Sequence, residues 1–210
     1  ASVDKHFRHK KQSGGSGQFA DIRLTLAPSP RGAGFVFDER VKGGAVPRNF
    51  IPAVETGARE ALAKGPLGFP VLDVHVTLTD GQHHSVDSSD MAFRIAARQG
   101  VAEALGEAHP VLLQPMLEIR FHVPAAHTGA LQGVVSAARG HVLGYDRDGS
   151  AAGWDLFRAL MPGSALADLA AHLRAATQGL GWFEAAFDHY EELYGKEAER
   201  ISLEHRNGAD

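Results

Sequence analysis

From Met116 to His189 the hydrophobic period switches between two and about 3.6 in an order that leaves few folds open. Leu117, Ile119, Phe121 and Val123 alternate with polar neighbours, the pattern of a half-buried strand. A helical stretch over about 127–138 follows, then a strand at 141–145, a turn at 146–149, a strand at 153–162, a helix at 164–177 and a strand at 180–189. Gly163-Ser164 and Gly179 give the last helix its start and stop signals. Strand, helix, strand, strand, helix, strand is the split βαβ order, so residues 113–195 are expected to form a ferredoxin-like domain.

The preceding residues, 1–112, read as a separate α+β unit. Ile22, Leu24 and Leu26 alternate with Arg23 and Thr25 in a strand over 19–28, which the segment 3–12 joins as a hairpin through Ser13–Gly17. Between Pro47 and Lys64 the spacing of Phe50, Ile51, Val54, Ala58, Ala61 and Leu62 predicts an amphipathic helix that starts near Pro47 and stops at Gly65-Pro66. Leu72, Val74, Val76 and Leu78 mark a strand over 71–79. A polar loop follows, Asp80-Gly-Gln-His-His-Ser-Val-Asp-Ser-Ser89, whose last residues offer N-cap oxygens to a helix reaching about Gly106. That helix is expected to bury Met91, Ile95, Ala102 and Leu105, and 111–115 to be a connector. Residues 196–210 are read as a C-terminal tail.

Charge restricts the partners. The net charge is -4, which excludes a uniformly basic protein, yet residues 1–11 hold Lys5, Arg8, Lys10 and Lys11 against Asp4 alone. Any nucleic-acid contact is therefore local. The segment 184–210 carries the opposite bias, as a solvated terminal face does. There is no cysteine, hence no disulfide framework or thiolate metal site. No apolar run approaches the length of a membrane span, and the basic start is not followed by a signal-peptide hydrophobic region. A soluble cytoplasmic protein is expected. The chain begins with Ala and opens at once into strand-like sequence, which suggests a piece of a longer protein.

Few residues suggest chemistry. Ser13-Gly14-Gly15-Ser16-Gly17 is glycine-rich, but a phosphate cradle needs Lys-Ser or Lys-Thr and a helix after its last glycine, whereas Gln18-Phe19 and a strand follow here. A flexible hairpin tip is the alternative. His83 and His84 near Asp80, Asp87 and Asp90 are either metal ligands or members of a solvated polar loop; neighbouring residues rarely reach one ion, so no metal is assigned. Lys5-His-Phe-Arg-His-Lys-Lys11 is either an RNA-facing strand or a basic edge strand that discourages aggregation. Arg139, His141 and Arg147 are ordinary surface residues by themselves. Ser88 and Ser89 look like helix caps, no catalytic residue is assigned, and no bound cofactor is implied for these residues.

Four segments carry a resemblance: 11–18, 80–89, Val41-Lys-Gly-Gly-Ala-Val-Pro-Arg-Asn-Phe-Ile-Pro-Ala-Val-Glu-Thr-Gly57 and Gly65-Pro-Leu-Gly-Phe-Pro-Val-Leu-Asp73. Together they resemble the fourth domain of elongation factor G-like translational GTPases, almost unbroken from Lys10 to Pro115. Pro110–Met116, Thr128-Gly129, Arg139-Gly140 and Thr177-Gln-Gly179 are similar to the family's fifth domain. The resemblance implies two α+β domains: a β-rich sandwich with a left-handed βαβ crossover, as in some ribosomal proteins, then the ferredoxin-like domain. It also implies a ribosome-binding, monomeric region with no membrane contact, whose tip residues Ser13, Gly14, Gly15, Ser16, Gly17, Gln18, His83 and His84 contact tRNA and mRNA in the small-subunit decoding region during translocation. Arg139 and His141 would meet the stalk base of the large subunit. GTP and Mg would belong to an N-terminal domain of the longer protein. Leu180 stands where the family typically has a basic residue, and Tyr190-Glu-Glu-Leu193 replaces a Tyr-Glu-Pro type of sequence. These departures suggest a divergent paralogue, which leaves open a role in ribosome recycling, protection or regulation, with a small metal-dependent hydrolase as a distant alternative.

Overall fold

A computed structural model describes residues 1–12 and 17–207. The backbone divides into two compact units, 1–112 with 194–210, and 113–193. In the first, β1 (Val3–Lys11) and β2 (Gln18–Pro28) pair antiparallel from Val3 opposite Leu26 to Lys11 opposite Gln18. The strand β3 (Phe35–Glu39) runs parallel to β4 (Val74–Gln82), and α1 (Ile51–Leu62) lies between them in sequence. Sheet order is β1-β2-β4-β3, and α2 (Asp90–Glu107) completes the layer of helices. One side of the sheet, with Ile22, Leu24, Leu26, Val76 and Leu78, shares a single core with Val54, Ala58, Phe93 and Ala97 of the helices.

Three local expectations shift. β4 starts at Val74 because Asp73 adopts a left-handed φ of 56° and takes a hydrogen bond from the Gly34 amide at 2.9 Å. Leu72 therefore lies outside the strand, 43% exposed. The helix α1 follows a 3-10 turn at Arg48–Phe50, so the proline of its first turn is Pro52 and not Pro47. On α2, Met91 and Ala102 face solvent and Ile95 is half-buried, while Ala92, Ala96, Ala97, Gly100 and Ala104 face inward with Phe93, Val101 and Leu105. Small residues won that face because α2 lies close to both the sheet and α1: a Cβ on Gly100 would stand 3.0 Å from the Phe7 Cβ of β1. A Cβ on Gly57 of α1 would overlap the Arg94 carbonyl oxygen of α2.

In the second unit β5 (Leu112–Pro124), α3 (Thr128–Ala137), β6 (His141–Arg147), β7 (Trp154–Pro162), α4 (Leu166–Thr177) and β8 (Trp182–Leu193) follow in turn. The sheet order β6-β7-β5-β8 is the ferredoxin-like arrangement, with β7 antiparallel to both β5 and β6. Ile119, Phe121, Val123, Phe157, Ala159 and Met161 form the sheet's share of the core against Leu131, Val135, Leu169 and Leu173. The stretch 111–115, expected as a connector, already belongs to β5 from Leu112 onward. A helix, α5 (Gly195–Asn207), occupies most of the expected tail and groups with the first unit. Its Ser202 is buried and its His205 ring stacks on Phe69 at 3.9 Å between centroids. Those anchors are too sparse for a periodicity argument to find.

Candidate functional site

Two polar segments far apart in sequence meet at one end of the first unit. The start of β2 and the loop between β4 and α2 are joined by the Phe19 amide donating to the Asp87 carbonyl at 2.8 Å. The Ser88 hydroxyl donates to the Phe19 carbonyl at 2.7 Å and accepts from the His84 amide at 2.9 Å. Ser89, one residue on, caps α2 by accepting from the Ala92 amide at 3.2 Å. The two serines thus divide the work: one caps a helix and the other latches two loops together. Gly17 permits the approach, since a Cβ there would stand 2.6 Å from an Asp87 carboxylate oxygen. Ser13, Gly14, Gly15 and Ser16 lie outside the described residues.

The adjacent histidines turn to different partners. His84 Nδ1 accepts from the amides of Asp87 at 3.1 Å and Val86 at 3.3 Å, and its ring lies 6.2 Å from that of Phe19. An Asp87 carboxylate oxygen also stands 3.4 Å from Nδ1. With two amide donors nearer than or as near as that oxygen, Nδ1 is an acceptor. His83 Nδ1 instead reaches the Ala45 carbonyl at 3.3 Å, in the loop before α1. Among the described residues no group of three or more His, Cys, Asp or Glu is placed to hold a metal.

Gln18 is held from the neighbouring strand. His9 Nε2 donates to its side-chain oxygen at 2.8 Å, leaving the amide NH2 as the available donor. Sequence reasoning did not single out His9. The signal was present in strand parity, because the hairpin register puts His9 and Gln18 on the same side of the ribbon. The basic run of β1 is more divided than its composition suggests. Lys5 binds Glu103 and Glu107 of α2, each at 2.7 Å, and the Glu103 bond, then the Glu107 bond, raise its pKa. His6 and Arg8 both bind the buried Asp21, with Arg8 Nε 2.6 Å from its carboxylate. Lys10 and Lys11 stay exposed beside the tip.

Comparison with known proteins assigns this frame. Residues 1–109 match the family described as elongation factor G, domain IV, and residues 111–201 match elongation factor G C-terminus. The chain belongs to the elongation factor G family. An elongation factor G-like protein of Synechocystis sp. is 44% identical over 95% of this chain and 30% of its own length. Another of that description, from Thermotoga maritima, is 42% identical over 98% of this chain and 30% of its own. A crystal structure of a protein from Thermus thermophilus superposes with a TM-score of 0.87 at 34% identity, covering 98% of this chain and 30% of that one. The chain therefore spans less than a third of the relatives' length.

Within this elongation factor G frame, Arg139 and His141 belong to the second unit, and the tip residues to the first. Arg139 adopts a left-handed φ of 57° at the end of α3, and His141 opens the edge strand β6, exposed. The second unit also holds a polar cluster that no motif announced. His122 Nδ1 donates to Asp148 at 2.6 Å, and the His122 ring stacks on Trp182 with centroids 3.7 Å apart. The Ser150 hydroxyl, then His122, then the Ser150 amide hold the Asp148 carboxyl down at about 2. Phe187, Tyr190 and Leu180 are exposed along and before β8.

Proposed function

We propose that this region is the ribosome-contacting part of an elongation factor G-like protein, and that its tip enters the small-subunit decoding region to promote tRNA–mRNA translocation. The convergence of Gln18 and His84 supports this reading. Two loops about 65 residues apart are stitched into one end, which presents an amide and an imidazole held by neighbours rather than loose in solvent. Both groups suit RNA: amide and imidazole hydrogen-bond backbone or base edges and stack without the strong, diffuse attraction of a lysine. Such a tip acts by differential binding, favouring the ribosome state in which the tRNA–mRNA duplex has moved.

Ribosome, tRNA and mRNA are the partners on this reading, with Arg139 and His141 meeting the large subunit, and the protein works as a cytoplasmic monomer. GTP and Mg belong to the remaining length of the full protein. The present residues do not fit a nucleotide phosphate, because Gly17 leads into Gln18-Phe19 and β2 and not into Lys-Ser and a helix. No helix among the described residues is long and apolar enough to cross a membrane.

In a reconstituted system, His84→Ala in the full-length protein is expected to slow single-round translocation about tenfold or more, as loss of an oriented hydrogen bond and its packing does. Ribosome-stimulated GTP hydrolysis should stay near wild-type. A wild-type translocation rate overturns the mechanism. A second reading, a paralogue acting in recycling, protection or regulation, draws on Leu180, which is 55% exposed at the position of the missing basic residue. Ordinary multi-round translocation by the wild-type protein eliminates it.

A further inference from the structure

We infer that His84 is presented to its partner as an oriented N–H donor, and that Ser88 is the residue that positions it. The inference rests on the proposed ribosome contact only for the identity of the atom that the donor meets. An uncharged imidazole has one nitrogen that donates and one that accepts. Here Nδ1 is occupied by the amides of Val86 and Asp87, so the proton sits on Nε2, on the ring edge away from those amides. The ring is half exposed, and Phe19 stands beside it. The partner atom is accordingly a hydrogen-bond acceptor, a phosphate, ribose or base oxygen or a ring nitrogen of RNA.

Ser88 sets this geometry without touching the partner. Its hydroxyl accepts the His84 amide and donates to Phe19 of β2, while its own amide donates to the His84 carbonyl at 3.2 Å. The turn that lets residues 86 and 87 reach back to Nδ1 is thereby tied to the sheet. His83, whose Nδ1 donates to the Ala45 carbonyl, carries the opposite tautomer and leaves an acceptor on its Nε2. The adjacent rings are therefore not interchangeable: the Nε2 edge of His84 carries an N–H, and that of His83 a lone pair.

Long-range 1H–15N spectra of the 210-residue protein, recorded at a pH where imidazoles are uncharged, read the tautomer directly. His84 is expected as the Nε2–H form in the wild type and in Ser88→Thr, and as a mixture in Ser88→Ala. The Nδ1–H form in the wild type, or an Nε2–H form unchanged in Ser88→Ala, overturns the assignment. Two further variants separate the ring's two edges. In His84→Asn the side-chain oxygen replaces Nδ1, so the Val86 and Asp87 amide shifts should persist; in His84→Gln they should move. In the full-length protein, His84→Asn should weaken ribosome binding about tenfold, the worth of one lost hydrogen bond. Wild-type binding by His84→Asn, with the free-protein spectra as expected, refutes the RNA acceptor and leaves the tautomer standing. Wrong spectra refute the presentation itself, whatever the ribosome data show.

Discussion

His84 in the first unit and His122 in the second are both held through Nδ1, one as acceptor and the other as donor, and they differ further in what surrounds the other nitrogen. At the tip, Nδ1 takes two backbone amides and the ring remains 53% exposed. In the second unit, Nδ1 donates to Asp148, the side chain is only 12% exposed, and Nε2 is buried without a partner among the described residues. One ring is oriented with an edge open to solvent, and the other is clamped under Trp182. Orientation by a hydrogen bond does not by itself mark a site. It does so where the second nitrogen is left accessible, and that condition separates the two rings. The helices show a parallel contrast. In the first unit Gly57 lies where α1 meets α2, whereas Gly133 on α3 of the second unit has open space around it.

The largest effect should come from filling the first of these seams. Gly57→Val places branched carbon against the Arg94 carbonyl and Ala97, neither of which can yield without separating α1 from α2. Overpacking of this kind costs about 3 kcal/mol. Urea unfolding followed by far-UV circular dichroism, with amide exchange at Ala97 to report on the first unit, should show it. A loss below about 0.5 kcal/mol would mean the seam is looser than drawn.

Next in size is His122→Ala, expected to cost about 2 kcal/mol by stripping a partner from Asp148 and the stacking surface from Trp182. Both tryptophans of the chain, Trp154 and Trp182, belong to the second unit, so fluorescence isolates it. The corresponding change at His84 should leave stability within about 0.5 kcal/mol, as exposed positions usually do. Equal losses at the two sites would abolish the distinction.

Acid should find the second unit through the same cluster. Asp148 is depressed from 3.8 to about 2 by Ser150 first and His122 second, so its ionised form is bound more tightly folded than unfolded. Its contribution is complete above the unfolded value and disappears as pH falls from 3.8 through about 2. Tryptophan fluorescence should therefore show stability draining over that window, and Asp148→Asn should start less stable at pH 7 and flatten the decline. A decline of unchanged steepness in the variant would assign acid sensitivity to other carboxylates.

What the sequence made legible followed periodicity and loop chemistry. The six elements of the second unit stood at nearly their observed places because each carries a clean period of two or 3.6. The face of α2 was misread because Ala and Gly give little hydrophobic signal, yet close helix packing selects them over Met91 and Ile95. At the site, His84 and Gln18 were legible from the polar loops, with their roles supplied by the resemblance. His9 was legible only through strand parity in the hairpin, and the Ser88 latch and the His122–Asp148 clamp were not, because their partners lie 69 and 26 residues away in sequence.

The smallest expected effect tests whether the two glycines differ by environment or only by position. Gly133 lies in the interior of α3, exposed, with nothing within 4 Å of where a Cβ would stand. Replacing it by alanine removes conformational freedom from the unfolded chain and clashes with nothing, so Gly133→Ala should stabilise the second unit by about 0.5–1 kcal/mol. The same methyl at Gly57 must push into the Arg94 carbonyl and should destabilise despite an equal gain in helix propensity. Paired urea titrations of Gly133→Ala and Gly57→Ala would give shifts of opposite sign. If both variants gain, α1 and α2 have room to separate, and packing has no part in the glycine of the first unit.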